Sequence, residues 1–204
     1  KESEEKAYKQ RHKQKQSLIN KLQDDQEYYQ KQIRIKEQEQ QKLNAWIVEL
    51  ERKRRLREQN QEYALPEPSY DFKDFASARG KLLWPVRGSV ITRYGKHRDP
   101  ISKTTINNTD IEIKSSRGTP VRVVFDGVVR MITYLSSYGN TIIVDHGKGY
   151  YTVYSHLDEI YIGKGDFLKA GDVIATVGDS GSLDGPRLQF GIYGERKTFD
   201  PQDW

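Results

Sequence analysis

The sequence predicts an all-β domain, a sandwich or barrel built from duplicated hairpins, carried behind a long α-helical arm of coiled-coil type. Three observations predict it. All 16 glycines and all 7 prolines fall at or after Pro66, so residues 1–65 hold neither of the two strongest helix breakers. Lys, Gln, Glu and Arg make up more than half of those 65 residues. Past Gly80 the text changes to short runs of Val, Ile and Tyr separated by Gly and Asp, the pattern of many short strands joined by tight turns.

The arm comes first, over residues 1–65. Stepping by sevens from Leu22 meets Tyr29, Lys36, Leu43 and Leu50, and Leu18, Gln26, Ile33, Gln40 and Ile47 flank that line. An apolar seam with polar interruptions is the pattern of a long helix that packs against another helix. Such a helix is too polar to stand alone and needs a partner, in the same chain or in a second copy. Trp46, Ile47, Val48 and Leu50 form a denser apolar patch, which a mere spacer has no use for, so this stretch is expected to dock on something.

Pro66-Glu67-Pro68-Ser69 ends the arm, because proline lacks an amide donor and restricts the residue before it. Residues 66–81 are then a linker. Tyr70–Arg79 can form one short amphipathic helix stopped by Gly80, with Phe72 and Phe75 on one side facing a groove or the core.

Residues 82–204 supply the β domain. Strands are predicted at Val121–Phe125, Gly127–Tyr134, Asn140–His146, Tyr150–His156 and Arg187–Tyr193. Gly163-Lys164-Gly165-Asp166-Phe167 and Ala170-Gly171-Asp172-Val173 repeat a Gly-Asp turn before an apolar residue. Residues 96–105 are expected to form an exposed loop.

Composition narrows the function classes. The formal net charge of +5 divides into 16 Lys+Arg against 12 Asp+Glu in residues 1–65, and 18 against 17 in the remainder. A mixed-sign helical surface of this kind is a solvated one, and no aromatic-interleaved basic stripe marks the β domain, so nucleic acid is not an expected partner. With no cysteine, thiolate metal sites and disulfides are excluded. The opening Lys1-Glu2-Ser3-Glu4-Glu5 lies already inside a charged helical pattern, which suggests a piece of a longer exported protein whose signal segment precedes it.

Taken in order, several segments resemble the LytM, or lysostaphin-like, metallopeptidase family. They are Leu83-Trp84-Pro85-Val86-Arg87-Gly88, Asp110-Ile111-Glu112-Ile113, Gly118-Thr119-Pro120-Val121 and Asp126-Gly127-Val128-Val129. The series continues with Tyr138–Gly147, Thr152-Val153-Tyr154-Ser155-His156-Leu157, Gly185–Ile192 and a closing Asp200-Pro201. The resemblance implies a lysostaphin-like fold over residues 82–204. It also implies a zinc site on a His-x-x-x-Asp pair and on the second His of a His-x-His strand.

This chain departs from that site. The His-x-x-x-Asp pattern falls on Ile106-Asn107-Asn108-Thr109-Asp110, and the His-x-His pattern on Arg187-Leu188-Gln189. Asp110 and His156 remain, while Ile106 and Gln189 stand where two of three zinc ligands would be. Ile106 offers no lone pair, Gln189 is a poor ligand beside imidazole, and Arg187 is a permanent cation. Neither metal, cofactor nor peptidase mechanism is expected. An ion pair between Asp110 and Arg187 across the vacated site is expected instead. His146 is taken as a turn residue without a catalytic role, and His97 as part of the exposed loop.

A zinc-less domain joined to a coiled coil resembles the EnvC-type murein hydrolase activators. That resemblance implies a periplasmic, non-catalytic regulator of cell-wall hydrolysis. Its groove captures an inhibitory helix of a cell-wall amidase, and its coiled coil engages an FtsEX-type membrane complex. It further implies a self-restraining helix over the groove, for which the Phe72/Phe75 segment and the Trp46–Leu50 patch are the candidates. The groove residues are Ile106, Tyr138, Thr141, Tyr154, Gln189 and Tyr193, with Asn107 and Arg187 as polar edges and Asp110 and His156 as remnants. Tyr154 and Thr141 serve equally as core, and Tyr138, beside Gly139, is expected to be the exposed one. Two rival readings are a peptidoglycan-binding module and a residual metallo-endopeptidase.

Overall fold

The computed structural model describes residues 2–59, 74–98 and 105–204. Within the arm helix, side chains are described from Lys15 to Leu56. Helix α1 runs Glu2–Gln59 without a break, as the absence of Gly and Pro requires. The chain divides into two compact units, residues 1–38 and 39–204, so the second part of α1 belongs to the β domain's unit. In the first unit Leu18, Leu22, Tyr28 and Tyr29 are exposed.

The β domain is one large antiparallel sheet and one small hairpin. Its strands are β1 (Ser89–Thr92), β2 (Gly95–Arg98), β3 (Thr105–Asn108), β4 (Ile111–Lys114), β5 (Pro120–Arg122) and β6 (Gly127–Leu135). They continue as β7 (Gly139–Asp145), β8 (Tyr151–Ile160), β9 (Phe167–Leu168), β10 (Val173–Val177), β11 (Arg187–Gly194) and β12 (Lys197–Phe199). The order across the sheet is β1-β4-β11-β8-β7-β6-β9, with β12 on β11 and β10 joining β5 to β8. The repeated Gly-Asp turns are closed by their aspartates: Asp166 accepts from the amide of Gly163 at 2.7 Å and Asp172 from that of Lys169 at 2.8 Å.

Two expectations are corrected here. The expected loop at 96–105 is partly a hairpin, since β2 and β3 pair in register Gly95↔Asn108 to Arg98↔Thr105. Its strands carry Lys96, His97 and Arg98, with no apolar alternation to announce them. Of the expected Tyr70–Arg79 helix, the part within the described residues, from Asp74 on, holds a 3-10 turn, Phe75–Ala78, in place of an α-helix, and Phe72 lies outside the described residues. Phe75 is driven into the main core, stacked on His146 at 4.7 Å and on Trp204 at 5.0 Å between ring centroids. It therefore covers no groove.

Strand alternation sorts the domain into two buried faces. Even-numbered residues of β11 and β8, such as Leu188, Phe190, Ile192 and Tyr154, join the main core with Ile111, Ile113, Ile142 and Val144. Odd-numbered residues of the same strands face the other way, up to Ser155 in β8, beyond which the bulge at His156 turns Leu157 into the main core. On that other face Tyr151, Val153 and Tyr193 meet Tyr138, Ile143 and Leu135, and Leu43 and Ile47 of α1 pack onto them. With both faces covered, β11 is buried at all eight of its positions.

Candidate functional site

Of the residues mapped to the metal site, Gln189 and Arg187 lie on the face of β11 that also carries Tyr193, and Asp110 meets Gln189 there. Register pairs Gln189 with Glu112 and Arg187 with Lys114 across β11 and β4. Side chains on one face of an antiparallel pair reach their diagonal neighbours. Gln189 Nε2 thus donates to Asp110 Oδ2 at 2.6 Å, and Arg187 Nη1 donates to Glu112 Oε2 at 2.9 Å. The expected Asp110–Arg187 pair gives way to these two diagonal contacts. Arg187 and Glu112 are both buried, Thr92 adds its hydroxyl to the same Glu112 oxygen at 2.9 Å, and Asp184 stands 3.6 Å from the guanidinium at the rim.

Zinc does not fit these residues. The Gln189 nitrogen that faces Asp110 is a donor with no lone pair to give, and it occupies a carboxylate oxygen that a metal would need. Ile106 carries no donor atom. Among the described residues no cluster of three His, Cys, Asp or Glu side chains has metal-binding geometry.

The remaining predicted site residues scatter around that pair. Ile106 and Asn107 sit on β3, half-buried and exposed, opposite His97 and Lys96 of β2. Thr141 is buried and its hydroxyl bonds with that of Ser155 at 3.0 Å. His156 is buried with φ +62°, an unusual backbone for a non-glycine residue in a strand. It sits beside the register shift between Asn140 and Ile142, where β7 and β8 slip past one another. The bulge turns its ring so that Nδ1 donates to the Ser180 carbonyl at 2.7 Å. Gly139 makes the close approach possible, because a Cβ there would stand 2.1 Å from that same carbonyl oxygen.

Tyr138 is not exposed as expected but 1% accessible, since Leu43 and Ile47 close over it. Burial first, then the Asp110 carboxylate, push its hydroxyl well above the ordinary tyrosine value. The Tyr193 hydroxyl is raised for the same two reasons in the same order. Tyr154 is core, with its hydroxyl accepting from the Val124 amide at 3.1 Å. His146 opens the turn between β7 and β8, as expected, and its ring is interior: Nδ1 donates to the Asp126 carbonyl at 2.8 Å and Nε2 accepts from Thr152 at 2.7 Å.

The residue that sequence reasoning missed is Glu39. Its carboxylate accepts the amides of Ser136 and Ser137 at 2.9 and 2.7 Å, and both serine hydroxyls as well. Burial raises its pKa, but the four hydrogen bonds together outweigh burial and hold it below 4.5. One residue on, Gln40 donates to the Thr109 hydroxyl at 2.5 Å. Glu39, Gln40, Leu43 and Ile47 follow helical spacing and form one docking stripe, with Trp46 and Leu50 half-buried beside it and Val48 facing out. The only sequence signal was an acid four residues before the Leu43–Ile47–Leu50 seam.

Residues 107–201 match the model of Peptidase family M23. The chain is 34% identical over 126 residues to the murein hydrolase activator EnvC of Escherichia coli, covering 62% of this chain and 29% of that protein. It is 32% identical over 116 residues to the cell division protein DipM of Caulobacter vibrioides, covering 56% of this chain and 18% of that one. It thus spans less than a third of the length of either relative. A zinc-containing peptidase from Vibrio cholerae shares the fold with a TM-score of 0.56 and 27% identity, over 59% of this chain and 39% of that one. By sequence match and by fold, the β domain of this chain belongs to the LytM-type domains of peptidase family M23.

Proposed function

We propose that the chain is a non-catalytic regulator of cell-wall hydrolysis, whose β face bearing Asp110, Tyr138, Gln189 and Tyr193 binds and activates a peptidoglycan amidase during cell division. The carrying observation is the pairing of Gln189 with Asp110 under a helix stripe that closes over both tyrosines. A face that no longer holds a metal yet is covered by its own chain has the properties of a regulated binding surface. The Glu39–Ile47 stripe is the restraint in this reading, in the region of the Trp46–Leu50 patch. The rest of α1 couples it to an FtsEX-type membrane partner in the periplasm. Likeness to a murein hydrolase activator and a cell division protein supports the reading. Among the described residues no helix is long and apolar enough to cross a membrane.

The experiment is cleavage of labelled sacculi by a cell-wall amidase from the same source. The amidase is assayed alone, with the chain, and with the Glu39→Ala chain. Little stimulation by the unaltered chain and strong stimulation by the variant is the expected result. Stimulation by neither would sink the activator. Release of peptides by the chain itself, stopped by a chelator, would promote the endopeptidase reading, and binding to sacculi without an effect on any amidase would promote the peptidoglycan-binding module.

A further inference from the structure

The stripe that covers the β face satisfies it incompletely. Four buried side-chain polar atoms among the described residues have no hydrogen-bond partner within the protein: Tyr151 Oη, Gln189 Oε1, Tyr193 Oη and Trp204 Nε1. Three of these four lie on the face under α1. Gln189 and Tyr193 point the same way from β11, and Tyr151 stands directly opposite Tyr193 across β8. Thr109 comes near enough to the Tyr193 hydroxyl to influence its titration, but no bond of normal geometry reaches it. Against Tyr151 and Tyr193 α1 sets Leu43 and Ile47, which can neither donate nor accept.

Buried polar groups in native proteins are almost always paired, and an orphan costs the desolvation of that group. Three orphans on one face mark a surface whose polar complement is not the helix now lying on it. The N-terminal end of the stripe is well bonded through Glu39 and Gln40, so the mismatch falls beyond it, where Leu43 and Ile47 lie.

We infer that the partner which replaces α1 on this face carries neutral polar side chains, amide above all, where α1 places Leu43 and Ile47. The inference rests on the reading that a partner displaces the helix. An amide both donates and accepts: its N–H meets Gln189 Oε1 while its carbonyl takes a tyrosine hydroxyl proton. A carboxylate would stand against Asp110, and an ammonium would lose its hydration without a matched counter-charge, since Asp110 is already bonded to Gln189. Access exists before the helix leaves. A cleft of about 600 Å³ runs beside α1, lined by Ile47, Val48, Glu51, Tyr151, Tyr193 and Lys197, and brings a partner to both tyrosine rings.

Two measurements, neither using an amidase or cell wall, test this. In the full chain, Tyr151→Phe and Tyr193→Phe remove orphans from the covered state but hydrated groups from the open one. Amide exchange over residues 39–56 is therefore expected to slow, by about threefold to tenfold for each. Faster exchange would mean the hydroxyls are satisfied under the helix and would overturn the inference. In the second, helical peptides of residues 39–59 bind the Glu39→Ala chain, as they stand or with Ile47→Gln, Leu43→Gln or Ile47→Lys. A Gln peptide should bind about tenfold tighter than the parent, and the advantage should vanish in Tyr193→Phe. Tightest binding by the parent or by the Lys peptide would overturn it. The amidase reading can fail while both of these results hold, and the reverse is equally true.

Discussion

Gln189 Nε2 stands 2.6 Å from Asp110 Oδ2 and donates to it, so two side chains that the family resemblance maps to metal-ligand positions are bonded to one another. In that mapping, two substitutions separate this face from a three-ligand zinc site. The unaltered chain should retain no zinc after dialysis, and Gln189→His alone should retain little. Ile106→His with Gln189→His restores two imidazoles beside Asp110 and should bind zinc stoichiometrically, read by metal content and titration calorimetry. A double variant without zinc would show that Ile106 does not reach Asp110.

Glu39 fastens the stripe to the Ser136–Ser137 turn. Glu39→Ala leaves two amides and two hydroxyls to find water, and should weaken closure by about 2–3 kcal/mol. Amide exchange across residues 39–56 should quicken by one to two orders of magnitude, by about 1.4 kcal/mol per tenfold. The carboxyl is held below 4.5 in the folded chain, so its contribution is present above the unfolded value and is lost as pH falls through the folded one. Closure should therefore loosen in acid below about pH 4.5 in the parent chain and lack that dependence in the variant.

How much of this was legible follows from the range of the interactions. Arg187–Tyr193 announced a strand by its alternation, and Gly165-Asp166 and Gly171-Asp172 announced turns, because both signals are local. That Gln189 lies beside Asp110 was legible too, from the ordered motifs. The cover over Tyr138 was not. A tyrosine beside Gly139 looks exposed until Leu43 and Ile47, nearly a hundred residues away, are laid on it. Nor could the sequence choose between Asp110 and Glu112 as the partner of Arg187. Both acids lie on one strand face, and the β4–β11 register decides. The Lys96-His97-Arg98 strand hid because a two-stranded hairpin with no buried face needs no apolar pattern.

The Arg187–Glu112 pair is buried, so its halves are unequal to its sum. Arg187→Met or Glu112→Leu alone strands a charge in the interior and should cost about 3–5 kcal/mol. The double variant strands none and should recover most of that loss in urea denaturation. Additive losses would mean that water reaches both groups and that the pair is not the unit.

His146 gives the fold an acid limit of its own. Its ring lies in the main core, stacked by Phe75, and burial is the largest influence, lowering its pKa to about 4 against weaker opposing effects of Asp126. An unfolded chain takes up a proton on this residue as pH falls through about 6.5, whereas the folded chain refuses it until about 4. Between those values the unfolded state binds more protons, so stability must rise with pH across that window. It is complete above about 6.5, and on the order of 3 kcal/mol is lost by pH 4. Urea unfolding at steps from pH 7 to pH 4 should show this loss. His146→Gln should be less stable at pH 7, because Asp126 and Thr152 lose a fitted partner, yet its stability should fall less over the window. A parent chain as stable at pH 4.5 as at pH 7 would mean that the ring accepts a proton in place, through opening of the Phe75 lid.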